Sequence, residues 1–526
     1  MAKPQEKLAQ SLKVLKDLQQ KERIVLRTTD LSRTHRERLL ANGFIREVIK
    51  GWYIPTRPDE GAGESTGWYS SFWEFCTAYL NHRFGAAWCL SPEQSLNLHS
   101  GNKTIPKQVL IRAPKASNKV TLLLYETAVL DVRATLPEAK NIEILGGMRV
   151  FSIPAALVAC SPTYFHQFPV EARSVLTSIK EPSALLEILL EGGHSTIAGR
   201  LAGAFHSIGS VKIAEDIVAI MRSVGYDVRE ENPFAKTLPE FPLRKETSPS
   251  VTRLCLMWQQ MKPLVIENFP KGESKSSLLM ETLKNVEDAY VKDAYNSLSI
   301  EGYRVSPELI ERVSKGDWNP DKNERDGELR NVLAARGYWQ AFQAVKESLK
   351  KVLRGQNAGL VAENDHGTWY RELFSPSVVT GILRLSQLAG YRGDQVFIRR
   401  SRHVPPPRET VRELMPVFFN LLKEETNPEV RVVLGHFFFV YIHPYMDGNG
   451  RMARFLMNVM LVAGGWPWAI ISMENRMTYF EALEEASVHQ NIVPFAQFIG
   501  KCVTTPVENG FDPNDRKRAS CEKEEV

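Results

Sequence analysis

The chain has 526 residues, with 66 Lys and Arg against 61 Asp and Glu, a formal charge of +5, 43% apolar residues and 24% charged. At roughly 100 to 200 residues per domain, that length predicts about three domains, each able to bury a core of its own. The composition excludes a disordered chain, a collagen and a disulfide scaffold.

In chain order, a helix is predicted to about Gln20, then a second, basic helix with Thr29 or Asp30 as its N-cap, stopped by Asn42-Gly43. FIREVIKGWYIP follows as two short extended runs around Lys50-Gly51, the pattern of a hairpin. Residues 21–58 hold nine basic side chains against four acidic ones, so this stretch carries as much net charge as the whole chain. Helix, turn, basic helix and hairpin over 1–58 resemble a winged helix-turn-helix, in which Arg33, Arg36 and Arg38 would meet DNA phosphates. A solvated basic face on a small packing domain is the open alternative. Residues 60–230 mix short β-rich runs (KQVLIRAP, VTLLLYE, MRVFSIP) with helical ones, an α/β region without a chemical motif. Together with the N-terminal segment it resembles the winged-helix antitoxin-type proteins of the AbiE kind. A proline-bearing linker is predicted over 231–255, a mainly α domain over 256–503, and a disordered tail over 507–526. Within the helical part, Gln395 to Pro407 (QVFIRRSRHVPPP) reads as a β-hairpin leading into a stiff connector.

The six cysteines, Cys76, Cys89, Cys160, Cys255, Cys502 and Cys521, form no CxxC pair, so a reducing cytoplasm is expected. The lysine-rich N-terminus lacks the apolar core of a secretory signal. The uncharged run Phe455–Met473 contains Asn458, two glycines and Pro467, and reads as a buried helix and turn, with no membrane anchor expected.

The informative segment is HFFFVYIHPYMDGNGRMARFLMNVML, His436 to Leu461. An apolar helix should run to Ile442, break at His443-Pro444, and give way to a second helix begun by Asp447-Gly448-Asn449-Gly450. Two glycines at a helix N-terminus let backbone amides converge on an anion. Arg451 and Arg454, one turn apart, would add forked donors for the same phosphate groups. Asp447 could hold a magnesium ion bridging phosphates, and His443 could serve as a general base.

HPYMDGNGRMAR is similar to the Fic family signature HPFx(D/E)GNGRxxR, with Tyr445 in place of Phe. The resemblance spans about 260–500. It implies transfer of AMP from ATP to a protein hydroxyl, with His443 as base, Asp447 as the Mg²⁺ ligand, Asn449 and the Gly448–Gly450 amides on the α-phosphate, and Arg451 and Arg454 on the β- and γ-phosphates. A phage-toxin branch that carries Lys at the second glycine acts as a kinase; Gly450 is intact here, which favours adenylylation. Ser297 to Gly302 (SLSIEG) fits the family's inhibitory pattern (S/T)xxxE(G/N), with Glu301 142 residues before His443. The resemblance therefore implies that Glu301 pairs with Arg454 and blocks the γ-phosphate, on a helix near 290–302. The alternative is an ordinary helix with Gly302 as its cap. Arg402 and His403, in the position of the family's hairpin flap, and Tyr479 are implied as further nucleotide contacts, while Ser487 replaces a frequent asparagine. The partners implied are a target protein or the chain itself, DNA through the basic segment, no membrane, and a second copy in a homodimer. Two rival activities stay open: a DNA-binding regulator with a weakly active ATP-binding domain, and removal of AMP from a modified protein.

Overall fold

The computed structural model describes residues 3–21, 23–58, 64–234, 248–270, 279–316 and 329–504. The tail expected over 507–526 and most of the expected linker lie outside these residues; from Pro249 the described chain is already helix, Pro249–Asn268. Two compact units are present, one made of residues 1–256 with 397–404, the other of 257–396 with 405–526.

In the first unit the helix Pro4–Gln20 packs on the helix Arg33–Ala41. The second helix is capped by Ser32, whose hydroxyl accepts the His35 N–H, two to three residues later than the expected Thr29 or Asp30. Asp30 is occupied elsewhere: its carboxylate accepts the Arg27 N–H at 2.8 Å and the Arg23 guanidinium at 2.7 Å. Strands β1 (Leu26–Arg27), β2 (Ile45–Ile49) and β3 (Trp52–Pro55) form an antiparallel sheet in the order β1-β3-β2. The reversal between β2 and β3 uses Gly51 at φ +83°, a conformation that costs glycine little. β4 (Cys89–Leu90), β5 (Gln108–Ala113), β6 (Val120–Leu122) and β7 (Ala128–Arg133) form a second sheet in the order β4-β5-β7-β6, with β5 and β7 parallel. A hairpin of β8 (Ile142–Leu145) and β9 (Met148–Phe151) follows. Trp68, Phe72 and Phe75 of the helix Thr66–Phe84 fill the core beside Val109, Ile111 and Val129, and short helices from Ile153 to Ser223 bury a separate core around Leu201, Phe205 and Ile217.

Residues 397–404 are built into this same unit. Val404 is buried in the Trp68 core and Phe397 packs against it. Arg399 donates to the Glu64 carboxylate at 2.6 Å, the Arg400 N–H to the Thr66 hydroxyl at 3.1 Å, and the Ile105 N–H to the Arg402 carbonyl at 2.9 Å. Burial acts to raise the Glu64 pKa, but the Thr66 and Arg399 hydrogen bonds outweigh it and hold the carboxyl below its usual range. The hairpin expected over 395–407 is therefore absent: the segment turns at Ile398–Ser401 without strand pairing. Groups of its tip close only a turn, with the Ser401 N–H on the Ile398 carbonyl at 3.1 Å, and otherwise bond Thr66, Ile105 and Glu64, while its last three residues are prolines, which have no N–H to offer a ladder.

The second unit is helical, and its centre is the helix pair Pro428–Ile442 and Asn449–Ala463. VRVVLGHFFFVYI is apolar on nearly all faces, which suits a helix enclosed by others, and residues from Val430 to Ile442 are almost all buried. Leu279–Ile300, Leu329–Leu353, Ala358–Val379, Arg408–Glu424 and Arg476–His489 surround the pair. Among the described residues no helix is long and apolar enough to cross a membrane.

Candidate active site

Pro444 disfavours the helical conformation for the residue before it, so the helix Pro428–Ile442 stops at His443, which takes a left-handed conformation at φ +54°. The loop that follows is closed by Asn449. Its side-chain oxygen accepts the Tyr445 N–H and its amide donates to the Tyr445 carbonyl, both at 2.9 Å. The Tyr445 ring is buried and anchors the loop, stacked on Tyr370 with ring centroids 3.7 Å apart. Gly448 caps the next helix at φ +80°, where a Cβ would fall 2.8 Å from the Phe374 ring. Two requirements thus fix glycine at this position.

The His443 imidazole is directed by its own helix: Nδ1 lies 3.1 Å from the Val440 carbonyl, which can only accept. The proton therefore sits on Nδ1, and Nε2 carries the free lone pair. Burial is the main force lowering the His443 pKa to about 4, assisted by Arg392 and opposed by the Val440 bond, Glu301 and Asp447. At neutral pH the ring is an uncharged base. Asp447 is mostly exposed, with one oxygen accepting the Gly448 N–H at 2.6 Å and the other 3.5 Å from Arg451.

Arg451 and Arg454 are 1% and 3% exposed. The Arg451 guanidinium lies between the Tyr303 and Phe374 rings, at 5.2 and 5.1 Å from their centroids, and its Nε has no partner. Arg454 Nε donates to the Ser297 hydroxyl at 2.8 Å, and its Nη2 to the Ser297 carbonyl at 3.0 Å and to Glu301 at 2.7 Å. Its Nη1 is buried without a partner. Burial disfavours the Arg454 charge, but the Glu301 carboxylate more than offsets it and raises the pKa. Glu301 lies directly over the glycine loop, since a Cβ at Gly450 would be 2.3 Å from its carboxylate oxygen. Gly302, at φ +85°, ends the same helix, so its role as a helix cap and its place in the inhibitory pattern coincide.

The structure thus brings His443, Asp447, the Gly448–Gly450 amides, Arg451, Arg454, Ser297 and Glu301 to one place. Both polar ends of the Asn449 side chain bond Tyr445, so it shapes the loop. Tyr479 is 1% exposed and its hydroxyl lies 2.8 Å from His436 Nε2. Arg402 and His403 belong to the first unit, as part of 397–404. Sequence reasoning missed Arg392, whose Nε donates to the His443 carbonyl at 2.8 Å, and Tyr303 and Phe374, which enclose Arg451. It also missed Asp293, which accepts the Tyr338 hydroxyl at 2.6 Å; burial raises its pKa to about 6. Asp293 precedes Ser297 and Glu301 by four and eight residues, a helical spacing readable only once those two had been chosen.

The helix N-terminus at Gly448–Gly450, two buried guanidinium groups with unpartnered N–H donors and a neutral imidazole form an arrangement able to hold an anion. Residues 368–461 match the Fic/DOC family, and the chain carries a Fic domain. The protein adenylyltransferase Fic of Nematostella vectensis is 27% identical over 293 residues, covering 53% of this chain and 64% of that protein. That of Drosophila willistoni is 37% identical over 116 residues, covering 21% and 23%. Among solved structures, Fic-1 (aa134 - 508) from C. elegans is 17% identical with a TM-score of 0.34, covering 68% of this chain and 98% of that one. The chain spans 41% to 64% of the length of the first three curated relatives it matches.

Proposed function

We propose that this chain is a protein adenylyltransferase, which transfers AMP from ATP to a hydroxyl side chain of a target protein or of itself and is held back by Glu301. The single observation that carries the reading is the pair of unpartnered, buried arginine donors, Arg451 Nε and Arg454 Nη1, beside the Gly448–Gly450 turn. Protein interiors rarely leave such groups unpaired, and phosphate oxygens are the partners a guanidinium fork fits best. The curated relatives named protein adenylyltransferase Fic support the same activity.

The target oxygen attacks the α-phosphorus, the bond to the β-phosphate bridging oxygen breaks, and pyrophosphate leaves. His443 Nε2 takes the proton of the attacking hydroxyl. Asp447, exposed and with few competing partners, fits a Mg²⁺ ion, which uses one or two carboxylates and fills its shell with water and phosphate oxygens. When bound, that ion would neutralise charge on the triphosphate. Arg451 and Arg454 would hold the β- and γ-phosphates in line with the attacking oxygen. Glu301 restrains the reaction because its carboxylate occupies the Arg454 fork that the γ-phosphate needs.

Incubation with labelled ATP and Mg²⁺ measures the activity directly. Self-modification should rise at least about tenfold in Glu301→Gly, and His443→Ala added to it should lower the rate by about 10² to 10⁴. A double variant that labels as fast as the single one would overturn His443 as the base. Wild-type protein that strips AMP from a labelled substrate, with Glu301→Gly unable to do so, would make removal the main direction.

A further inference from the structure

We infer that Arg392 is a positioning residue of the transfer reaction, fixing the backbone of His443 and both stems of the segment from Gln395 to Pro405 with one guanidinium group. The inference rests on the reading of His443 as the base.

Arg392 is 2% exposed, yet among the described residues it has no carboxylate within ion-pair distance. Its hydrogen bonds among the described residues run to main-chain carbonyls. Nε donates to His443 at 2.8 Å, Nη1 to Asp394 at 3.0 Å, Nη2 to Pro406, and the Arg392 N–H to Pro444 at 2.9 Å. Burial lowers its pKa to about 10, so at neutral pH it remains a full charge supported by carbonyl dipoles. Burying a guanidinium with only Glu409, beyond ion-pair distance, as counter-charge is costly, and a purely structural brace could have been built from neutral groups.

The site needs this brace because of the conformation of His443. A left-handed backbone is strained for a residue other than glycine, so the turn must be held from outside. Val440 holds the ring through Nδ1, and Arg392 holds the carbonyl; together they set where Nε2 points. The same guanidinium ties Asp394 and Pro406, the two residues between which the 395–405 segment leaves and returns. Base and segment stems therefore share one support, and a displacement of either is transmitted to the other. Misplacing a catalytic group by about 1 Å can cost on the order of 100-fold in rate.

The experiment uses the full chain in the Glu301→Gly background, with rates referred to folded protein. Arg392→Gln should lower kcat about 10- to 100-fold while KM for ATP changes less than about threefold, since the phosphate cradle is untouched. Arg392→Lys keeps the charge but not the fork, and should be nearly as slow. The pH profile separates positioning from simple support of the fold. The charged groups facing His443 are Arg392, Glu301 and Asp447, and Glu301 is absent in this background. Losing the positive charge in Arg392→Gln should move the acid limb of kcat to higher pH, whereas Arg392→Lys should leave it in place. An unchanged kcat per folded molecule, with an unmoved acid limb, overturns the inference. Should Arg392→Gln fail to fold, Arg392→Lys decides by its kcat alone. A Glu301→Gly parent with no transfer activity overturns the adenylyltransferase reading itself.

Discussion

The molecule carries two arginine clusters on helices, and they differ in what burial demands of them. On Arg33–Ala41 the Arg33 side chain is 83% exposed and pairs with Glu37 one turn on. On Asn449–Ala463, Arg451 and Arg454 are almost wholly buried and keep unpartnered donors. An exposed guanidinium is hydrated, and its charge says little about its role; a buried one needs a counter-charge, a set of carbonyl acceptors or an incoming anion. Arginine content alone made the N-terminal cluster the more conspicuous of the two in the sequence, yet environment makes the C-terminal pair the more informative.

The sharpest way to break this contrast is to remove a buried member. In the Glu301→Gly background, Arg454→Ala should lower AMP transfer about 10² to 10³-fold, because a preorganised donor to developing phosphate charge is lost. Arg454→Lys should recover little of it, since a point charge cannot donate to Ser297 and a phosphate oxygen together as the fork can. Steady-state kinetics with labelled ATP measures both, and full activity in Arg454→Lys would reduce the fork to a simple charge.

How much of this was legible beforehand differs by scale. The loop from His443 to Arg454 is local: its helix stop, glycine cap and two arginines follow from twelve consecutive residues, and all lie where those residues imply. The Glu301–Arg454 pair could be read at long range only because a second local pattern, SLSIEG, supplied its other half. Arg392, Tyr303 and Phe374 had no such pattern. Each acts through contacts 51 to 148 residues away along the chain, set by helix packing that periodicity does not reveal. The segment 395–407 shows a different failure. It read as an extended run that would make a hairpin, but a sheet ladder needs a partner strand, and groups of its tip bond Glu64, Thr66 and Ile105. Asp30 lost its predicted cap role in the same way, to Arg23 and the Arg27 amide.

Acid titration sharpens the comparison on a smaller scale, through an imidazole instead of a guanidinium. An exposed histidine titrates near 6.5. With the His443 pKa lowered to about 4, the transfer rate should stay level on acidification past 6.5 and fall about tenfold per unit only below about pH 4. The sign follows from the base: protonation of Nε2 removes the lone pair that accepts the hydroxyl proton. Glu301 raises this pKa, so Glu301→Gly should move the limb to lower pH. A limb near 6.5 would show that Nε2 is well hydrated in the working enzyme, and that burial does not set its charge.

The smallest effects belong to the exposed cluster, which is not uniform. Arg38 is turned into the packing, its Nη1 donating to the Lys7 carbonyl at 2.7 Å and the Ser11 hydroxyl at 2.9 Å. Arg36 reaches the Thr28 carbonyl at 3.4 Å, which leaves Arg33 the most open of the three. Arg38→Ala should therefore lower the thermal midpoint of the full chain, because it breaks a tie between two helices, whereas Arg33→Ala should leave the midpoint unchanged. If the segment meets nucleic acid, the order reverses for binding. Arg33→Ala should then weaken affinity for duplex DNA a few-fold and reduce the slope of log affinity against log salt by about one, the signature of one lost phosphate contact. Titration of the full-length protein with a labelled duplex at low salt reads this directly. No binding there would remove DNA from the partners of this protein and leave the cluster as a hydrated face, whose charge does no more than its exposure permits.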